Sequence, residues 1–441
     1  MDATGSNETV QVEAIEAMLR RSLPDDILIL LQAAGTVASK KGFRLYVVGG
    51  FVRDLLLGMP NLDIDLVVEG SAVAMAMAMA NRFGGEVRGH PRFGTAKWLL
   101  EGSSFTSLPS LDFVGVRRES YAHPGALPDV EPGSIEEDML RRDFSINTLA
   151  ICLNDGCFGQ LLDLHGGLVD LRAGAIRVLH DLSFVDDPTR ILRAARYEAR
   201  LNFRLESHSE RLLIDAVPLL RRVSGGRLTR ELMLTLAERE PEKALRRLAA
   251  LGVLDVIQSG LVCDELIGAR FGWLRGARDR PAALDYLALH TLELPAEVIV
   301  SLAQRLSLTK ADTEYLTQVS QAYRILPQLA SDRLTASQVV HLLEPFRNGA
   351  LSMASNLADS PIVQERLVRY LSEWSTVTSE LDGDDLRALD IPPGPVYREI
   401  MRSIRDARLD GAIRSRADEE RMALTLAEQA AHAATLSEVQ L

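Results

Sequence analysis

Apolar positions recur every three or four residues between Asp25 and Lys41, with Leu28, Leu31, Ala34 and Val37 on one side, and this spacing predicts a helix. Shorter apolar runs then predict strands over 44–48, 62–68, 94–100 and 108–116, with helices over 51–57 and 71–82 between them. The Met-Ala alternation at 74–79 imitates a strand. Both residue types favour helices, and the run lies between an Asp-x-Asp and a Gly-Gly turn, so a helix is predicted. Residues 1–24 read as a loosely ordered extension in which Val10–Leu23 has helical spacing. Residues 117–140, rich in turn formers between Pro124 and Pro132, read as a flexible loop.

Beyond about residue 175 the sheet signals fade. Helical spacing dominates at 187–201, 208–221, 227–239 and 241–251, and most of the remaining chain follows it. Turn clusters near 224–226, 328–334 and 380–395 divide this part, and the stiff Ile391-Pro-Pro-Gly-Pro precedes an amphipathic helix over Val396–Ala407. The pattern predicts an α/β head with a mixed sheet followed by an all-α remainder. The expected divisions are 1–24, 25–175, 176–255, 256–375 and 376–441.

Composition narrows the class. With 47% apolar and 25% charged residues over 441 positions, the chain reads as a globular protein of more than one domain. No run of 18 uncharged apolar residues occurs, and the opening Met-Asp-Ala-Thr-Gly-Ser-Asn-Glu is unlike a signal peptide, so a cytoplasmic location and no membrane partner are expected. Cys152, Cys157 and Cys263 cannot form a disulfide framework or a zinc site, and are expected as buried free thiols. The net charge of −12 argues against a strongly basic nucleic-acid binder. From Arg172 to Ala250, however, 16 Lys/Arg stand against 11 Asp/Glu, a local excess of five that suits a polyanion held along one groove or a solvated helix face.

Residues 46–69 carry the most chemistry. An apolar strand meets Gly49-Gly50, a short helix follows, and Asp63 and Asp65 lie on the next strand. Residues two apart in a strand project from one face, so both carboxylates stand side by side while Ile64 and Leu66 point the other way. Two such carboxylates repel, and a divalent cation removes the conflict; hard oxygen donors suit Mg2+. The glycines let the backbone approach a ligand at a helix N-terminus, which favours anions. Metal-binding carboxylates beside a phosphate cradle point to phosphoryl or nucleotidyl transfer.

This stretch, two glycines, Val-Arg-Asp and then Asp-x-Asp, resembles the nucleotidyltransferase superfamily that includes polymerase beta. It is more closely similar to the class II tRNA nucleotidyltransferases (CCA-adding enzymes) and bacterial poly(A) polymerases. The resemblance implies a polymerase beta-like α/β nucleotidyltransferase head, then an all-α neck that selects the nucleotide (176–255), a body (256–375) and a tRNA-binding tail (376–441). It implies that Asp63 and Asp65 hold magnesium, and that Gly49, Gly50 and Arg53 meet the incoming nucleotide. Asp112, in Leu-Asp-Phe-Val-Gly-Val, matches the third acidic position, where it orients or deprotonates the primer 3′-hydroxyl. In Arg141-Arg142-Asp143-Phe-Ser-Ile-Asn, Arg142 can hold a phosphate and Asp143 can accept from a ribose hydroxyl.

Further along, Phe184-Val-Asp-Asp-Pro-Thr-Arg places Asp187 and Arg190 three apart on one helix face, an acceptor and a fork of donors that complement a nucleobase edge. In the resembling family this element replaces a template strand. The family's usual Glu-Asp is Asp186-Asp187 here, which leaves the preference between CTP and ATP open. Arg193 and Arg196 extend the face toward a triphosphate. Gly166-Gly167 reads equally as a hinge or as a left-handed turn, and residues 223–236 as support for the nucleotide helix. His180-Asp181 lacks the companions a metal phosphohydrolase needs.

These motifs predict a template-independent enzyme that adds CCA, or part of it, to tRNA 3′ ends from CTP and ATP. The alternatives are an A-adding or CC-adding specialist, a poly(A) polymerase, for which the tail lacks a basic run, and a catalytically silent RNA-binding module, which would have lost a carboxylate. A small-molecule nucleotidyltransferase would not need the long arginine-bearing helices.

Overall fold

A computed structural model describes residues 3–90, 94–105, 107–120 and 129–439, the side chains of 3–11, 120 and 433–439 excepted. The chain divides into two compact units, residues 1–264 and 265–441.

The first unit begins with helices α1 (Ala3–Ser22) and α2 (Asp25–Lys41). The spacing of Leu28, Leu31, Ala34 and Val37 does bury one face of α2, which ends where Gly42 turns left-handed and caps the last carbonyls. Strand β1 (Arg44–Val48) runs into α3 (Gly50–Leu56), then β2 (Asp65–Glu69), α4 (Ala72–Phe83), β3 (Gly84–His90), β4 (Thr95–Ser103) and β5 (Ser110–Gly115). In α4 the Ser71 hydroxyl accepts from the Ala74 N–H, and Ala72, Met75, Ala76 and Met79 line the buried face. The Met-Ala run is therefore helical, as its residue types require.

Residues 117–140 depart from the expected loop. Strands β6 (Arg117–Ser120) and β7 (Asp129–Pro132) pair antiparallel, and α5 (Ile135–Leu140) follows. A reciprocal cap starts α5: the Glu137 N–H donates to Ser134 Oγ, and the Ser134 N–H donates to Glu137 Oε2. The Pro and Gly residues that suggested a loop lie mainly in 121–128, outside the described residues.

Strands β8 (Ala150–Cys152) and β9 (Leu161–Leu162) complete a mixed sheet in the order β3-β4-β5-β2-β1-β8-β9, with only the β2–β5 pair parallel. Strands β3, β8 and β9 escape the sequence pattern. Glycines occupy β3, which is largely exposed, while β8 and β9 are too short to show a period. Cys152 and Cys157 are joined by a disulfide across the turn after β8, with Cα atoms 5.8 Å apart, which corrects the free-thiol expectation for this pair. Cys263 is free and buried, and burial pushes its thiol up to about 11.

Helices then dominate: α6 (Gly167–Ala173), the short α7 (Ser183–Asp186), α8 (Arg190–Leu201), α9 (Ser207–Ala216), α10 (Gly225–Leu236), α11 (Pro241–Ala250) and α12 (Val253–Ile257), with β10 (Ala175–Ile176) and β11 (Arg204–Leu205) in a parallel pair. Gly225 and Gly226 open α10 and do not form a turn. The second unit is helical over Glu265–Ala277 to Arg416–Val439, with Val396–Leu409 after the proline-rich turn. In it, Leu386, Ile391, Ile400, Ile404 and Ala423 form one buried cluster. Among the described residues no helix is long and apolar enough to cross a membrane.

Candidate active site

The sheet brings together carboxylates that are distant in sequence. Asp65 opens β2 and is the register partner of Asp112 on β5, while Lys97 on β4 is the partner of Asp112 in turn. Residues in register share a face, so Lys97, Asp112 and Asp65 form a row across three strands. Asp63 lies two residues before β2, and β2 itself begins later than the predicted 62. Alternation still holds there: Asp63 and Asp65 are exposed, whereas Ile64 and Leu66 are buried.

The electrostatics of this row are strained. Dehydration by surrounding protein pushes the Asp65 carboxyl above the ordinary range, although it reaches solvent, and the Asp63 charge adds to this, with Asp112 contributing less. Arg142 and Lys97 pull the other way. Lys97 Nζ donates to Asp112 Oδ2 at 2.7 Å. Among the described residues no three His, Cys, Asp or Glu side chains converge as a metal-binding group.

Beside the carboxylates, Gly49 has φ 73° and precedes α3. A Cβ there would lie 2.8 Å from Arg142 Nη1, so glycine serves both the backbone angle and the approach of the arginine. Arg142 also donates to Asp138 Oδ2 at 3.1 Å, and its buried Nε has no partner among the described residues. Asp138 is fully buried and takes two donors from Arg141 as well. Sequence reasoning missed it; its only signal is an acidic residue four before an arginine on a capped helix.

Arg53 is 2% exposed and firmly held. Its guanidinium donates to Asp54 Oδ1 and, at 2.6 Å, to Asn147 Oδ1, and lies 5.0 Å from the centre of the Tyr197 ring. Asn147 Nδ2 donates to Asp143 Oδ1 at 2.9 Å. Burial alone would raise the Asp143 carboxyl, but Arg193 and the Asn147 amide outweigh it and bring it down to about 2. Arg193 Nε donates to Asp143 Oδ2 at 2.8 Å, and Asp143 in return holds Arg193 charged.

Residues at and before the start of α8 adjoin this network. Asp187 Oδ1 accepts from the Thr189 N–H, from its hydroxyl at 2.6 Å and from Arg227 Nη2 at 2.6 Å. Helix α8 begins at Arg190, which is buried and donates to the Arg141 carbonyl at 2.7 Å and to Ser183. Asp187 and Arg190 thus sit at the same helix start without bonding each other's side chains. Arg196 turns to Glu231 (3.1 Å) and Glu238 (3.7 Å), away from Asp143. Gly166 is left-handed, and a Cβ on Gly167 would come 2.3 Å from the Ser145 carbonyl, so the pair forms a tightly packed turn.

Carboxylates aligned at one edge of a mixed sheet, next to a glycine turn backed by an arginine, are the equipment of a nucleotidyltransferase, and the protein falls in that class. Residues 45–177 match the poly A polymerase head domain, and residues 202–263 match the probable RNA and SrmB-binding site of polymerase A. The chain is 33% identical to an A-adding tRNA nucleotidyltransferase of Halalkalibacterium halodurans, over 91% of this chain and 93% of that one. It is 38% identical to an A-adding tRNA nucleotidyltransferase of Geobacter sulfurreducens over 97% of its own length, but spans only 50% of that relative. A CCA-adding enzyme in apo form superposes with a TM-score of 0.77 at 33% identity, covering 93% of this chain and 98% of the other. The chain belongs to the tRNA nucleotidyltransferase family.

Proposed function

We propose that this protein extends tRNA 3′ ends without a template, adding all or part of CCA from CTP and ATP. The observation that carries the reading is the in-register pairing of Asp65 with Asp112, with Asp63 alongside and Arg142 at the glycine turn. The donor set suits magnesium: Asp63 and Asp65 are hard oxygen ligands, and a divalent cation would offset the dehydration and the Asp63 repulsion that raise Asp65. When bound, the ion neutralises triphosphate charge and lowers the pKa of the primer hydroxyl.

The chain's own residues do the rest. Asp112, steadied by Lys97, orients the primer 3′-hydroxyl toward the α-phosphate. Arg142, beside the glycine turn, meets phosphate with its guanidinium. Asp143, held ionised by Arg193, accepts from the ribose 2′-hydroxyl. Asp187 places its three donors on Oδ1, leaving Oδ2 as an acceptor for a base, and Arg190 supplies the donors beside it. Arg53 and Arg196 act from within, through Asn147 and Glu231. The head is residues 25–175 and the neck 176–255. The body (256–375) and tail (376–441) hold tRNA phosphates in the cytoplasm.

A narrower reading, addition of the terminal A alone, is supported by the names of the relatives. Those called A-adding are 33–42% identical. Those called CC-adding are 31–32% identical and a CCA-adding enzyme 26%. The solved CCA-adding enzymes include complexes with CTP, with ATP and with tRNA.

Labelled CTP and ATP, supplied separately to tRNAs ending at the discriminator base, at C and at CC, decide between these. Incorporation of both supports full CCA addition, and ATP on CC ends alone supports the A-adding reading. No incorporation on any end contradicts the proposal.

A further inference from the structure

Asp63 lies outside the regular strand, so its position depends on what holds the loop before β2. The hold comes from Asn61. Its Oδ1 accepts the Asp63 main-chain N–H at 2.8 Å, and its Nδ2 donates to Asp54 Oδ2 at 2.8 Å. Asp54 is fully buried, and its Oδ1 is gripped by the Arg53 guanidinium at 2.7 and 2.8 Å. From Arg53 the bonds continue through Asn147 to Asp143 and Arg193. A second cation, Arg200 on α8, stands 3.5 Å from Asp54 Oδ2.

We propose that Asn61 is a positioning residue: its carboxamide fixes the main chain at Asp63 and ties it, through Asp54 and Arg53, to the ribose-facing Asp143 and to helix α8. This rests on the reading of Asp63 as a carboxylate of the reaction centre. The chemistry at position 61 requires an acceptor on one arm and a donor on the other, because Asp63 offers an N–H and Asp54 offers only oxygens. Only an amide of asparagine length supplies both. Aspartate would keep the turn to the Asp63 N–H but would set a second carboxylate against that of Asp54; alanine loses both arms. Groups of this kind, which orient ligands without touching the metal, characteristically change metal affinity or activity by about 10- to 100-fold when removed.

The experiment uses the full chain and two readouts. Mn2+ binding is followed by the loss of the free-ion electron paramagnetic signal in the presence of a non-hydrolysable ATP analogue, and ATP incorporation into CC-ended tRNA is measured against Mg2+ concentration. Asn61→Ala is expected to weaken Mn2+ binding by about 10-fold and to raise the Mg2+ needed for half-maximal rate by a similar factor, with KM for tRNA unchanged. Asn61→Asp, which keeps the turn, is expected to lower kcat by about 10-fold as well, because the tie to Asp54 is lost. Unchanged metal dependence in Asn61→Ala, even with a lowered melting temperature, overturns the proposal by reducing Asn61 to a purely structural role. Parent-like kcat in Asn61→Asp overturns the tie to Asp54. If the parent protein incorporates no nucleotide, the catalytic reading falls instead; the Mn2+ titration still judges Asn61.

Discussion

The carboxylate edge of the sheet and the arginine-bearing neck treat charge in opposite ways. At the edge, the Asp63 and Asp112 charges both act against that of Asp65; Lys97 pairs directly with Asp112, and Asp65 feels Arg142 and Lys97 without an ion pair of its own among the described residues. In the neck, Arg193 is matched by Asp143, Arg196 by Glu231 and Asp187 by Arg227, mostly out of solvent. One region is short of counter-charge and the other is satisfied. A ligand that brings positive charge is therefore drawn to the edge, whereas on the proposed reading a nucleotide in the neck would use the lone pairs and N–H groups that the internal bonds leave over. The edge spends fold stability for reactivity, and the neck holds geometry.

This contrast makes the two regions fail differently when altered. The largest effect falls on activity. Asp65→Asn is expected to cut nucleotide incorporation by at least about 10³-fold, the scale of losing several kcal/mol of metal-assisted stabilisation, as read by single-turnover quench-flow. A smaller but still large effect falls on stability. Asp143→Asn leaves the partly exposed Arg193 to rely on Glu231, 3.7 Å away, and is expected to cost about 1.5–3 kcal/mol in urea unfolding.

The same Asp143 sets an acid limb. Its folded pKa, about 2, lies below the unfolded value near 3.9, so its contribution is complete above about pH 4 and is lost as pH falls toward 2. Urea midpoints between pH 5 and pH 2 should fall in the parent more steeply than in Asp143→Asn. The smallest effect has the opposite sign. Asp65 has a raised pKa, so its charge opposes folding at neutral pH, and Asp65→Asn should unfold slightly later than the parent without metal. The gain is under about 1 kcal/mol because the group reaches solvent and is screened. Added Mg2+ should stabilise the parent and not this variant.

The sequence pattern located strand β1, helices α2 and α4 and the alternation at 63–66 because in each an apolar run or period coincides with burial. It missed β3, where glycines and exposure leave no period, and the β6–β7 ribbon, whose turn residues resemble a loop. The candidate residues were named by local motif, but their relations were not. That Asp112 stands in register with Asp65, or that Arg53 points inward to Asn147, depends on pairing across many residues. Asp138 and Asn61 were passed over for the same reason. Each acts through partners that only the folded chain supplies, although Asn147 lies within the Arg-Arg-Asp motif itself.

The central claim is that the carboxylate edge performs nucleotidyl transfer onto RNA. Its most direct measurement follows pyrophosphate release and nucleotide incorporation together, on tRNAs ending at each stage of CCA, for the parent and for the Asp63→Asn/Asp65→Asn double variant. The parent should release one pyrophosphate per nucleotide added, and the variant, which remains folded, should give neither product. Equal incorporation by the two proteins would contradict it.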